Sequence, residues 1–213
     1  MIAGTVLFPT RISLQVWSWA FLRAFLFAAS LAALSFTSAA PKQHPAPKPV
    51  RAVTDPELDG LFSQLAKASS QEEAKPIEEE ILTFFLQSGS PSVDLLMTRA
   101  AEAANSGDAS TARRILQSVT EIAPLYAEGW HQRGRLEATA GDDEGAIVSL
   151  ERAVTLNPRQ FAAMSELGGI LVEYGDKRDA LAMLRRALAI DHYLPDVDHE
   201  VQRLSRDVEG ERI

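Results

Sequence analysis

The feature that most constrains the fold is a pattern that recurs every 34 residues between Val93 and His192. Three copies follow one another, and each has a Gly-Asp pair, then an alanine, then a leucine at the same spacing. A proline closes the first two copies, and His192 takes its place in the third. The recurring residues are Gly107, Gly141, Gly175, Asp108, Asp142, Asp176, Ala112, Ala146, Ala180, Leu116, Leu150, Leu184, Pro124 and Pro158. A period of this length is typical of helix–turn–helix units that stack on one another.

Each copy is predicted to form two helices, one on either side of the recurring glycine. In the second copy, Trp130 and Gly134 are four residues apart in the first helix, and Ala146 and Leu150 are four apart in the second. That spacing places each pair on one helical face. The glycine ends the first helix because it adopts positive φ at low steric cost, and the aspartate after it caps the second helix. The chain is therefore predicted to be all-α.

These residues resemble the tetratricopeptide repeat (TPR). The second copy carries the pattern through Trp130, Gly134, Gly141, Ala146, Leu150, Ala153 and Pro158, and the third through Leu167, Gly168, Gly175, Ala180, Leu184 and Ala187. The resemblance covers nearly half of the 213 residues. It implies a right-handed α–α superhelix, the TPR solenoid, over residues 91–194, with units at 93–126, 127–160 and 161–194.

The sequence departs from the TPR pattern at three positions. Arg99 and Arg133 stand where the family usually has leucine, and Glu137 stands where it usually has tyrosine. Two structural explanations of the arginines remain open, and a functional role ranks third behind them. Their aliphatic stems can lie along the repeat with the charged heads in water, or each arginine can form an ion pair within the chain.

The N-terminal 54 residues contain no Asp or Glu. Arg11 and Arg23 precede an apolar run over 24–36, which leads to the small residues Thr37-Ser38-Ala39-Ala40. This order is typical of a secretory signal peptide, so residues 1–39 are predicted to be cleaved near Ala39 and the protein to be exported to the periplasm. The apolar run is shorter than the roughly 20 residues of a membrane-spanning helix, although an uncleaved inner-membrane anchor is the alternative. Residues 40–54 are predicted to be a proline-rich linker, with a proline-rich docking ligand as the less favoured alternative.

Helical caps are predicted at both ends of the repeats. The sequence Asp55-Pro56-Glu57 has the residues of a helix start, and two apolar helical stripes follow within 55–90. This helix pair is expected to pack on the first copy and cover its apolar face. In the segment 195–213, Val197, Val201, Leu204 and Val208 form one stripe, which predicts a helix over the last repeat and a short tail.

Composition argues against several classes of function. The chain has 21 Lys and Arg against 29 Asp and Glu, and this net charge of −8 disfavours binding to a phosphate backbone. It contains no Cys, and it lacks the glycine-rich phosphate loops and the nucleophile motifs of common enzymes. The prediction is a non-catalytic scaffold or adaptor for a protein or peptide, without cofactor or metal, of unknown oligomeric state. A metal-dependent enzyme using His192, His199 and nearby acids is the alternative.

The resemblance implies that a partner lies in a concave groove lined by the first helices of the three units. The predicted groove residues are Asp94, Met97, Thr98, Ala101 and Asn105 in the first unit, Glu128, His131, Gln132, Arg135 and Thr139 in the second, and Ala162, Ser165, Glu166, Gly169 and Glu173 in the third.

Some TPR proteins hold a partner's C-terminal carboxylate with Lys and Asn at two groove positions. Here those positions carry Met97 with Ala101, and His131 with Arg135, so this clamp is absent. His131 and Arg135 remain one basic spot that can pair with a carboxylate of a partner. The alternative is that Arg135 pairs with Glu128, Glu166 or solvent.

Overall fold

The computed structural model describes residues 55–210. Within that range the chain forms helices and no strands, and the all-α prediction is confirmed. The helices are α1 (Pro56–Leu65), α2 (Gln71–Phe85), α3 (Pro91–Asn105), α4 (Ala109–Ile122), α5 (Ala127–Thr139), α6 (Asp143–Leu156), α7 (Phe161–Tyr174), α8 (Lys177–Ile190) and α9 (Pro195–Glu209). The predicted signal peptide and linker lie outside the described residues.

Three helix pairs, α3–α4, α5–α6 and α7–α8, form the repeat array. The glycine between the two helices of each pair has positive φ, at 82° for Gly107, 76° for Gly141 and 91° for Gly175. The aspartate that follows accepts a hydrogen bond from a backbone N–H in the first turn of the second helix, as Asp108 does from Thr111 at 3.0 Å. Asp142 and Asp176 cap α6 and α8 in the same way. The turn chemistry predicted from the repeat is confirmed.

Small residues let the two helices of a pair approach closely. A Cβ atom added at Gly134 would lie 2.7 Å from Cγ of Leu150, and one added at Gly168 would lie closer still to Leu184. Both leucines are buried. By contrast, an added Cβ at Gly141 would meet nothing within 4 Å, so that glycine is required for its positive φ and not for space.

The N-terminal helix pair packs elsewhere than the sequence suggests. The apolar side chains of α1 and α2, including Leu58 and Ile81, form one cluster with Phe161 at the start of α7, and Ile190 and Leu194 pack against it. This corrects the expectation that the pair covers the first repeat. The reason is that Phe161, Ile190 and Leu194 supply an apolar surface on which the stripes of α1 and α2 are removed from water.

Polar contacts fix this pair, which we call the N-terminal hairpin, along the loops that join the repeats. Asp59 forms an ion pair with Arg159 at 2.6 Å, and the Tyr193 hydroxyl donates to the carbonyl of Ala68 at 3.0 Å. The Tyr126 hydroxyl donates to the carbonyl of Leu86 at 2.8 Å. The hairpin therefore touches the loops after α4, α6 and α8.

Helix α9 covers the last repeat. Val197 and Leu204 are buried, and they belong to the same apolar cluster as Leu184 and Ala187 of α8. Lys177 and Asp207 form an ion pair at 2.9 Å between the two helices. The apolar face that α8 would otherwise expose is thus removed from water.

Candidate functional site

A hollow of about 750 Å³ lies along the first helices of the first and second repeats. Its apolar lining comes from Met97, Ala100, Leu116 and Leu136, and Leu86 of the hairpin borders it. Eight predicted groove residues line it: Asp94, Met97, Thr98, Ala101, Asn105, Gln132, Arg135 and Thr139. Leu86 was not predicted, because the hairpin does not follow the repeat register. Leu136 was not predicted either, because its position carries glutamate in the first copy and isoleucine in the third.

A second hollow of about 300 Å³ continues the groove between α5 and α7. Three further predicted residues, Glu166, Gly169 and Glu173, line it. Arg135 and Thr139 line both hollows, which makes them the junction between the two. Ala162 instead packs against the hairpin cluster, and Ser165 lines neither hollow.

Three predicted groove residues are buried: Met97, which still lines the larger hollow, and Glu128 and His131, which line neither hollow. Glu128 is 5% exposed and His131 is 3% exposed, so neither of these two side chains offers an open surface to a partner. His131 Nδ1 donates to Oε2 of Glu128 at 3.0 Å, and its Nε2 lies 3.3 Å from Oε2 of Glu166. The contact with Glu166 lacks hydrogen-bond geometry and is an ion pair. This corrects the prediction that His131 faces a partner.

Amide side chains complete the cluster around His131. Gln160, which is fully buried, donates to Oε2 of Glu128 at 2.5 Å and accepts from Asn157 at 3.0 Å. Gln132 donates to the other Glu128 oxygen at 2.6 Å. Because Gln160 and Asn157 belong to the loop between α6 and α7, the cluster ties the second repeat to the third. A buried network of this kind fixes one arrangement of the repeats only when its members are paired.

The charge on His131 follows from its neighbours. Burial by itself lowers the pKa of His131, but its contacts with Glu128 and Glu166 outweigh burial and raise that pKa to about 9. His131 is therefore protonated at neutral pH, and it serves as the internal counter-ion of two carboxylates.

Arg135 pairs within the chain and still faces the groove. Its Nε lies 3.3 Å from Oε1 of Glu166, and its Nη1 donates to Gln132 at 3.3 Å. The Arg135 side chain is 53% exposed, and that of Glu166 is 37% exposed. Of the two alternatives, the structure shows the pair with Glu166. An exposed pair of this kind contributes little to stability, so Arg135 can exchange Glu166 for another carboxylate at small cost.

The departures from the TPR pattern at Arg133 and Glu137 compensate each other. Arg133 Nε lies 2.8 Å from Oε1 of Glu137, which is buried, and Ser149 donates to the other carboxylate oxygen at 2.5 Å. The guanidinium also lies over the ring of Trp130, 5.5 Å from its centroid. Arg99 has no such arrangement, because the residue four positions later is Ala103, and Arg99 is exposed. The ion-pair explanation thus holds for the second repeat.

Replacing Arg133 by leucine should destabilise the protein although leucine is the usual TPR residue there. The change leaves the buried Glu137 carboxylate with Ser149 but without its counter-ion, at an expected cost of about 3 kcal/mol. The double variant Arg133→Leu with Glu137→Gln should recover much of that loss, as measured by urea unfolding. Equal losses in the single and double variants would contradict this role of the pair.

His192 and His199 are the histidines of the alternative metal site. His192 Nδ1 lies 2.6 Å from the carbonyl oxygen of Leu188. Among residues 55–210, no group of three or more His, Asp and Glu side chains is placed to hold a metal ion. Nor does any helix in this part of the chain have the length and apolar character needed to span a membrane.

Comparison with known proteins places the repeats in a family. The chain is 30% identical over 155 residues to a TPR repeat-containing protein of Rhizobium etli, and the match covers 73% of this chain and 76% of that protein. The TPR2B domain of yeast Sti1, in its pHsp70 complex, has a TM-score of 0.51 at 18% identity and covers 55% of this chain and 99% of its own.

A further structure agrees in fold. The first TPR domain of Spaghetti (RPAP3), bound to an HSP90 peptide, has a TM-score of 0.51 at 15% identity, and the match covers 55% of this chain and 95% of that one. A scan against protein-family profiles gives no match. The repeat register, the helix pairs and the Rhizobium relative agree, and the chain belongs to the tetratricopeptide repeat proteins.

Proposed function

We propose that this protein is a non-catalytic adaptor that holds a segment of another protein in the groove formed by α3, α5 and α7. The observation that carries the proposal is the pair of hollows joined at Arg135 and Thr139. Concave sites with apolar linings and a few polar groups are where ligands bind. The TPR domains of Sti1 and Spaghetti, which share this fold, are themselves seen with Hsp70 and HSP90 ligands.

The groove suggests the chemistry of the segment it holds. The larger hollow has room for an apolar side chain beside Met97 and Leu136, and the half-buried Leu136 loses water-exposed surface when it enters. Asn105 and Gln132 supply amides that can pair with the backbone of an extended segment. At the junction of the hollows, Arg135 can exchange Glu166 for an acidic group of the partner.

Binding should be measured by comparing charge reversals at two arginines. Arg135→Glu should reduce capture of partners from cell-envelope extract by at least about tenfold, because it places two carboxylates side by side at the groove junction. Arg99→Glu is the matched control, since Arg99 is an exposed arginine of α3 that lines neither hollow. The measurement is the amount of each captured protein, by quantitative mass spectrometry, with far-ultraviolet dichroism to confirm folding.

A second variant tests the apolar part of the groove. Ala101→Trp should fill the larger hollow and reduce capture of the same partners. If both groove variants capture the partners that the unaltered protein captures, in equal amounts, the groove is not the binding site.

The protein is proposed to work in the periplasm after export. The order of charged, apolar and small residues in the N-terminal segment supports this, and a tether to the inner membrane through an uncleaved N-terminus is the alternative. N-terminal sequencing of the protein isolated from its cells distinguishes the two. A start near Ala40 supports release into the periplasm, and a retained apolar segment supports the tether.

A further inference from the structure

Two acidic side chains, those of Glu78 and Asp191, interact directly where the N-terminal hairpin packs on the repeat array. Glu78 lies on α2, and Asp191 is the C-cap residue directly after α8. Asp191 is fully buried, and Glu78 is partly buried. Oε1 of Glu78 and Oδ2 of Asp191 are both shielded from solvent, and neither is within hydrogen-bond reach of a donor on another group. Two carboxyl groups can hydrogen bond to each other only when one of them carries a proton.

The surroundings decide which acid carries the proton. Burial raises the pKa of Asp191, although the hydrogen bond that it accepts from the backbone N–H of Tyr193 at 2.9 Å, its contact with Glu78 and the neighbouring His192 all favour its ionised form. On α2, Lys75 favours ionisation of Glu78 and Glu79 opposes it. Burial, together with the negative charge of Asp191, raises the pKa of Glu78 to about 7. Glu78 is therefore the proton carrier of the pair.

The pair sits among the contacts that hold the hairpin in place. The Tyr193 hydroxyl bonds to the carbonyl of Ala68, and the apolar cluster of the hairpin includes Phe161 and packs against Ile190 and Leu194. When both carboxyl groups are ionised, two negative charges face each other in a site shielded from water. Undocking of the hairpin relieves this repulsion because it lets both carboxylates reach solvent.

We propose that the N-terminal hairpin is a proton-dependent cover over an apolar edge of the third repeat. It stays docked while Glu78 and Asp191 share a proton, and it loosens when that proton is lost. Loosening exposes Phe161 and Leu194, and it frees Leu86, which borders the larger hollow of the groove. The proton would thus control both a new apolar surface and one wall of the groove.

The direction of the pH dependence follows from linkage. The docked hairpin holds Glu78 with a pKa of about 7, above the value of 4.5 that the group has when it is free. The docked state therefore binds a proton that the undocked state releases between these two values. Docking is strongest below the lower value, and it weakens as pH rises through the upper one.

Hydrogen exchange of the full chain, read by mass spectrometry over residues 56–85, tests the proposal. After correction for the intrinsic pH dependence of exchange, the hairpin should lose about tenfold of its protection between about pH 6 and about pH 8. Glu78→Gln should keep the hairpin protected with less than about a twofold change, because the amide donates to Asp191 at either pH. Glu80→Gln, an equal change at an exposed residue of the same helix that is not among the charges acting on Glu78, should retain the tenfold loss.

Three results would overturn the proposal. The first is a hairpin whose protection in the unaltered protein does not change with pH. The second is a Glu78→Gln variant that keeps the full pH dependence. The third is a Glu78→Gln hairpin that is unprotected at both pH values, since a neutral donor should support docking. The readout requires no partner, so a failure here leaves the proposed binding function untouched, and the reverse also holds.

Discussion

Replacing Gly168 by valine should lower the free energy of unfolding by about 3 kcal/mol, because the added side chain has no room. A Cβ atom at this position collides with the side chain of Leu184, which is 2% exposed and belongs to the largest apolar cluster of the described residues. Since that cluster surrounds Leu184, the leucine cannot move aside without displacing its own neighbours. The two helices α7 and α8 would have to separate.

The next residue in the chain provides the control. An added Cβ at Gly169 meets nothing within 4 Å, although both glycines lie in α7. Gly169→Val should therefore change stability by less than about 0.5 kcal/mol, since valine has a slightly better helix propensity than glycine. Urea unfolding followed by dichroism gives both values. Equal effects of the two substitutions would show that helix propensity, and not the close approach of α7 and α8, determines the result.

Replacing His131 by glutamine should destabilise the protein by about 3 kcal/mol at neutral pH, because it removes the cation between two carboxylates. Glu128 is buried and would remain charged with only the donors from Gln132 and Gln160. In the double variant His131→Gln with Glu128→Gln, the buried charge is gone as well, and about half of the loss should be recovered. If the double variant recovered no stability, the contribution of His131 would come from packing of the imidazole ring and not from its charge.

The same residue predicts a pH dependence of stability. The pKa of His131 is raised from 6.5 to about 9 in the folded protein, so the folded state holds a proton that the unfolded chain has released. The resulting stability is complete below the lower value and is lost as pH rises through the upper one. Between about pH 7 and about pH 9 the unaltered protein should lose about 2 kcal/mol of unfolding free energy.

Glu78 also releases part of its proton in this window, but with a pKa of about 7 it contributes only about 0.4 kcal/mol between the two pH values, against about 2 kcal/mol for His131. The His131→Gln variant should show little change of stability between the two pH values, as measured by urea unfolding at each. A variant whose slope equals that of the unaltered protein would place the titrating group elsewhere.

The repeat fold could be predicted from the sequence because its signals are local. The glycine at each turn and the aspartate after it act within a few residues, and their 34-residue recurrence makes each copy support the others. Eight of the groove residues predicted from the same register line the larger hollow. The register was sufficient for these residues because it identifies the face of each first helix that lines the concave side of the array.

The contacts of the buried charged residues were harder to predict. The repeat register does not identify the side chains of other helices and loops that these residues meet. His131 occupies a groove position, yet Gln160 from the next loop and Glu128 enclose it. The signal was present in Glu128 and His131, whose spacing of three residues permits a contact along one helix. Glu137 likewise stands four residues after Arg133, and both depart from the family pattern at once.

The packing of the N-terminal hairpin could not be predicted, since it depends on contacts far apart in the chain. Asp59 and Arg159 are separated by 100 residues, and Ala68 and Tyr193 by 125. Contacts between residues so far apart leave no local pattern in the sequence. The apolar stripes of α1 and α2 show that the hairpin must be covered, but many surfaces could cover it.

Those long separations change how such an array is expected to fold. In a simple repeat protein each unit meets only its neighbours, so folding can begin at any unit and spread along the chain. Here the hairpin joins the start of the described chain to the loop after α8. That closure raises the contact order, and such contacts form slowly because a large loop must be ordered first. We expect the repeats to assemble early and the hairpin to join them last, as a separate and slower kinetic phase.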